Sequence, residues 1–142
     1  MKAISKFSLK KVDEIYANLF YENRKVKKVV GQLIEEAFEI NNNYLLFVTE
    51  GLPFEEGLHI YYFSKQFKLL DWAKLSAPYT AGILNDLKVK DYTITFTFFH
   101  HNEFWQLEVL QNPKRVFSVS LASVLKRPFS IGKHRYFNIR EV

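Results

Sequence analysis

The sequence predicts an α+β fold: N-terminal helices packed on one face of a mainly antiparallel, meander-like sheet of about seven or eight strands. Three observations carry this expectation. Tyr92-Thr93-Ile94-Thr95-Phe96-Thr97-Phe98 alternates threonines with large apolar side chains, and Trp105, Leu107 and Val109 resume the alternation after His100-His101-Asn102-Glu103. A period of two residues either side of a polar tip is the pattern of an antiparallel hairpin. Upstream, Val26, Val29, Val30, Leu33, Ile34, Ala37 and Phe38 recur at spacings of three and four, the pattern of an amphipathic helix. Such a helix would cover the apolar side of the hairpin, which is marginal in water by itself.

In chain order, Leu9, Val12, Ile15/Tyr16 and Leu19/Phe20 predict a first helix over residues 8–22, with Ser8 as its cap. Glu22-Asn23-Arg24 breaks it from the second, and Asn41-Asn42-Asn43 ends a helical region spanning 8–41. The remainder, 44–140, reads as sheet within a single domain covering 1–142. Strands are expected at Tyr44–Val48, Leu58–Phe63, Phe67–Leu75 (with a bulge) and Ile83–Val89. The Lys90-Asp91 turn leads into the central hairpin, and Gln111-Asn112-Pro113-Lys114 breaks the connection after it. Val116–Leu121 and His134–Arg140 complete the sheet.

The chain carries 14 Phe, 8 Tyr and 2 Trp. Each buried ring removes about 150–250 Å² from water, so a core of this size has no need of them all, and some are expected on a contact surface. Net charge is +5 overall, made up of +5 over residues 1–28, −6 over 29–113 and +6 over 114–142. Basic ends around an acidic middle fit either a charged binding face or mutual neutralisation in the folded chain. With no cysteine there is no disulfide scaffold, no thiol nucleophile and no thiolate zinc site. The first residues are interrupted by Lys10, Lys11, Asp13 and Glu14 before any apolar stretch develops, and no run approaches the length of a membrane helix. A cytoplasmic protein without membrane contact is expected.

Catalytic signatures are missing: there is no nucleophile elbow, glycine-rich phosphate loop or His-Glu-x-x-His helix. His101 and Glu103 fall on one side of an extended tip, but polar residues are the usual occupants of such tips, and His59 and His134 have no evident partners. No cofactor and no metal site are therefore expected. The expectation is a small, soluble, non-enzymatic protein-interaction module with a protein partner or a second copy of itself. Its size and character suit an inhibitor or immunity-type protein. The candidate contact residues are Leu52, Phe54, Glu55 and Glu56 in a loop stiffened by Pro53, with Lys10/Lys11 and Arg24, Lys25, Lys27 and Lys28 as a basic counterpart and Lys126/Arg127 and Lys133/Arg135 as further cations. Two alternatives stand beside it: a small-ligand binder or enzyme using an aromatic-lined cleft, and a nucleic-acid binder using the basic terminal segments.

Overall fold

The computed structural model describes residues 1–52, 54–100, 102–115, 124–128 and 134–142, and among these no helix occurs. The N-terminal third is built of five strands: β1 (Lys2–Ala3), β2 (Phe7–Lys11), β3 (Tyr16–Tyr21), β4 (Arg24–Val30) and β5 (Leu33–Ile40). This overturns the α+β expectation and both predicted helices. The physical reason lies in residues the helical reading passes over. Val26, Val29, Val30 and Ile34 are β-branched and favour extended backbone. Gly31, between β4 and β5, has φ of +126°, and a Cβ there would collide with the side chain of Val48. Glu22 and Asn23 (φ 48° and 65°) and Asn41 and Asn42 (φ 51° and 59°) are left-handed pairs, the geometry of two-residue type I′ hairpin turns. The asparagines expected to end a helix instead reverse one strand onto the next.

The rest of the chain follows the strand expectations more closely. β6 (Asn43–Thr49), β7 (Leu58–Ser64), β8 (Leu69–Leu75), β9 (Asn85–Lys90), β10 (Thr93–Thr97), β11 (Phe104–Arg115), β12 (Leu125–Lys126) and β13 (His134–Glu141) complete the order. A register shift opposite Tyr62/Phe63 leaves Leu70 as the extra residue of a bulge in β8. β10 and β11 form the antiparallel hairpin, with Ile94 opposite Leu107 and Phe96 opposite Trp105. β11 continues to Arg115, so the expected break at Gln111–Lys114 is only an irregularity in its pairing with β13. The strand predicted at Val116–Leu121 lies outside the described residues.

Three antiparallel sheets stack on one another. The middle sheet has the order β1-β5-β6-β7-β8-β12, and the outer sheets are β13-β11-β10-β9 and β2-β3-β4. One face of the middle sheet, with Phe38, Leu45, Phe47, Ile60 and Tyr62, packs on Ile94, Phe96, Leu107, Val109 and Phe137. The other, with Ala37, Tyr44, Leu46, Val48 and Phe63, packs on Leu19 and Val29. The uninterrupted apolar run of β6 follows, because both of its faces are covered. At the second interface Phe7, Tyr21, Tyr44 and Phe67 form one aromatic cluster, with Tyr44 and Phe67 stacked at 5.6 Å between centroids. The cover for the hairpin's apolar face is thus a sheet, and the helical lid is absent.

Because neighbouring strands are antiparallel, the connections fall at two ends. Short turns at 22–23, 41–42 and 91–92 and the link 65–68 occupy one, called here the turn end. Residues 12–15, 31–32, 50–52, 54–57, 76–84, 98–100 and 102–103 occupy the other, the loop end.

Candidate functional site

Hydrogen bonds tie the connections of the loop end into a continuous rim. Asp13 Oδ1 accepts from the amides of Ile15 and Tyr16 at 2.9 and 2.8 Å, shaping the first loop. Gln32 Nε2 donates to the carbonyls of Asp13 and Tyr16, and the Gly31 amide donates to Ile15 O. The Gln32 amide reaches Thr49 O, the Glu56 amide reaches Thr80 O, and the Ile83 amide reaches Phe98 O.

On this rim stand the apolar side chains the core leaves out. Among the described residues, every exposed large hydrophobic except Val89 and Tyr92 belongs to the loop end or a strand terminus bordering it: Val12, Ile15, Tyr16, Leu33, Leu52, Phe54, Tyr79, Ile83, Phe104 and Val142. Phe54 at 84% and Tyr79 at 93% exposure are held out in solvent. Single exposed hydrophobics are ordinary, whereas their collection at one end is the kind of feature that marks contact surfaces.

Beneath Leu52 and Phe54 the loop is held by its own acids. The buried Glu56 carboxylate accepts from the amides of Glu50, Gly51 and Gly57 through Oε1, at 2.7, 3.1 and 3.0 Å. Burial raises its pKa above the ordinary carboxyl value, against the lowering effect of those amides. Glu50 Oε1 lies 2.9 Å from His59 Nε2 and 3.5 Å from Lys74 Nζ. Burial draws the His59 imidazole below its usual pKa, and the bond to Glu50 opposes that shift. The ring stacks on Tyr61, whose hydroxyl donates to Val30 O at 2.7 Å, and Tyr61 stacks on Phe63. His59, without a partner in the sequence reading, is therefore the strut of the loop.

The structure divides the sequence-predicted contact set. Leu52, Phe54 and Glu55 are exposed at the loop end, and Glu56 is turned inward as the brace of the same loop. Arg24 and Lys25 begin β4 at the turn end, roughly 20 Å away at the rise of an extended strand. Lys27 sits half-buried beside the β4 bulge, and Lys28 stands over the Tyr16 ring at 4.7 Å. A helix would have gathered these four cations on one face, but a bulged strand spreads them.

Arg127 is not a surface cation either. Its Nη2 lies 2.7 Å from Asp71 Oδ2 and donates to Phe137 O, while Nε donates to Trp72 O. Asp71 also accepts from the amides of Trp72 and Tyr136 at 2.8 and 2.9 Å. This buried pair ties β8 to β13 across two sheets, and an open groove of about 480 Å³ runs past it, lined in part by Trp72, His134 and Tyr136. Nothing local in the sequence marks the clamp, because its members are 56 residues apart. Among the described residues no group of three His, Asp or Glu side chains is placed to hold a metal ion, and no helix is long and apolar enough to cross a membrane. No family model matches the chain, and comparison with curated proteins and with solved structures likewise gives no match.

Proposed function

We propose that this chain is a non-enzymatic protein-binding module that takes its partner on the loop end. The observation carrying the reading is the segregation of exposed apolar side chains to that end, with Phe54 and Tyr79 almost wholly in solvent. Aromatic anchors within a polar rim are the usual composition of contact surfaces. Glu35, Glu55 and Glu103 belong to the same end, where Glu14 is paired with Lys11, so the complementary partner surface carries positive charge. The three stacked sheets supply a rigid base, the arrangement in which loops serve recognition.

A photocrosslinking amino acid in place of Phe54, with Lys90 at the turn end as control position, tests this reading. The expected result is a discrete protein adduct from position 54 in the native cell, lost when Tyr79→Ser is added, and none from position 90. Adducts from both positions alike, or from position 90 alone, would refute it. Light scattering of the purified chain then tells whether the partner is a second copy.

A further inference from the structure

A different surface, the outer face of β2-β3-β4, meets the loop-end rim at Tyr16 and carries a second binding property that does not rest on the reading above. In β3 the side chains of Ala17 and Leu19 are fully buried and Tyr21 joins the aromatic cluster under the sheet, so Tyr16, Asn18 and Phe20 face outward. Their cross-strand neighbours share that face: Lys10 and Lys28 flank Asn18, Ser8 and Lys25 flank Phe20, and Val30 lies beside Tyr16. The result is a row of two rings along the central strand with lysines on both sides, Lys10 and Lys28 about 10 Å apart across two strand spacings.

No carboxylate occupies this face. Of the nearby acids, Asp13 accepts the amides of its own turn, Glu14 pairs with Lys11 at 2.9 Å, and Glu22 pairs with Lys6 at 3.4 Å. The outer face of β13-β11-β10-β9 makes the contrast: Thr93, Thr95, Gln106, Glu108, Asn138 and Arg140 alternate there with a carboxylate among them, and the exposed ring of Phe104 sits at its loop-end border opposite Thr97, away from Lys88 and Lys90. Rings bordered by cations on an open sheet suit a chain of phosphates with unstacked bases, since phosphates meet lysines and any base can lie on an aromatic side chain. A lipid surface asks instead for an apolar face that sinks about 5–10 Å into the headgroup boundary, and two half-exposed rings within a flat sheet do not form one. We propose that the outer face of β2-β3-β4 binds single-stranded nucleic acid without regard to sequence, Lys10, Lys25 and Lys28 holding phosphates, Phe20 stacking a base, and Tyr16 stacking a second once the Lys28 ammonium that rests 4.7 Å over its ring turns to a phosphate.

Fluorescence anisotropy of labelled oligothymidylate and oligouridylate with the full chain tests this, at salt concentrations rising from low to physiological. Affinity should fall linearly on logarithmic axes, and the Lys10→Gln/Lys25→Gln/Lys28→Gln variant should lower that slope by about two, at about 0.7 for each phosphate contact. Phe20→Ala should weaken binding roughly tenfold with the slope unchanged. Circular dichroism and thermal melts matching the parent chain establish that both variants fold. Single strands should outcompete duplex DNA and phosphatidylserine vesicles. Absence of binding at low salt, undiminished affinity in the triple lysine variant, or stronger binding to duplex or vesicles would each overturn the proposal.

Discussion

Asp71 and Arg127 show how one pair of residues sets the cost of opening the stack. Both side chains are nearly inaccessible, at 2% and 8%, and the carboxylate takes backbone amides from β8 and β13 as well as the guanidinium. Removing one member strands the other without its counter-charge, so Arg127→Met should lower unfolding free energy by about 3–5 kcal/mol in urea titrations. A loss below about 1 kcal/mol would mean the pair is solvated and the clamp is not as described. At His59 burial makes stability depend on pH. Its folded pKa lies below the unfolded value of 6.5, because burial disfavours the charged ring more than Glu50 supports it. As pH falls through 6.5 the unfolded chain takes up the proton first, so stability drops from there toward the folded pKa. Glu56 acts with the opposite sign: its folded pKa is above 4.5, so the folded chain holds the proton longer and stability declines as pH rises out of that range. Urea midpoints measured between pH 7 and about 5 should therefore fall less steeply in His59→Gln and more steeply in Glu56→Gln than in the parent. Parallel curves for all three proteins would remove both groups from the account.

At the scale of elements, the hairpin turns explain both the fold and the failure to foresee it. Glu22 holds φ of 48° at the first central position of a type I′ turn, where an ordinary L-residue is strained by about 1–2 kcal/mol and Asn is tolerated. Glu22→Asn should raise stability by about 0.5–1 kcal/mol in thermal or urea unfolding, since the exposed Lys6 pair it sacrifices contributes little; a clear loss would show that the turn has another geometry. From Tyr44 onward the strands were legible because β-rich runs are bounded by turn residues, and the Leu70 bulge was legible because Phe67–Leu75 breaks alternation. Residues 8–41 were not. Two features disguise their strands as a helical stripe. Bulges at Leu19/Phe20 and Ile34/Glu36 shift the alternation by one residue, and β5 buries Ala37 toward one outer sheet and Phe38 toward the other. Two strands with such interruptions, joined by Gly31-Gln32, reproduce spacings of three and four. Gly31 in mid-pattern and the β-branched residues around it were the contrary signals. Half of the candidate site was visible for a sound reason, as Pro53 between Leu52 and Phe54 marks a loop bearing apolar groups. Tyr79 and Ile83 could not be joined to it without the topology that brings residue 80 to residue 56.

For the molecule as a whole, stacking three antiparallel sheets sends their connections to opposite ends, and the contact surface follows from that separation. The loop end collects Ile15, Leu33, Leu52, Phe54, Tyr79 and Ile83 with a rim of carboxylates, while Arg24, Lys25, Lys65, Lys68 and Lys90 lie at or toward the turn end. This arrangement exists only if residues 16–40 are strands, because a helix there would carry Ile15 and Leu33 away from the rim. Backbone NMR chemical shifts over that segment test the point most directly. Extended shifts are expected through 16–21, 24–30 and 33–40, interrupted by left-handed signatures at 22–23 and a break at 31–32; a continuous run of helical shifts across 24–38 would overturn the three-sheet fold and the contact surface that follows from it.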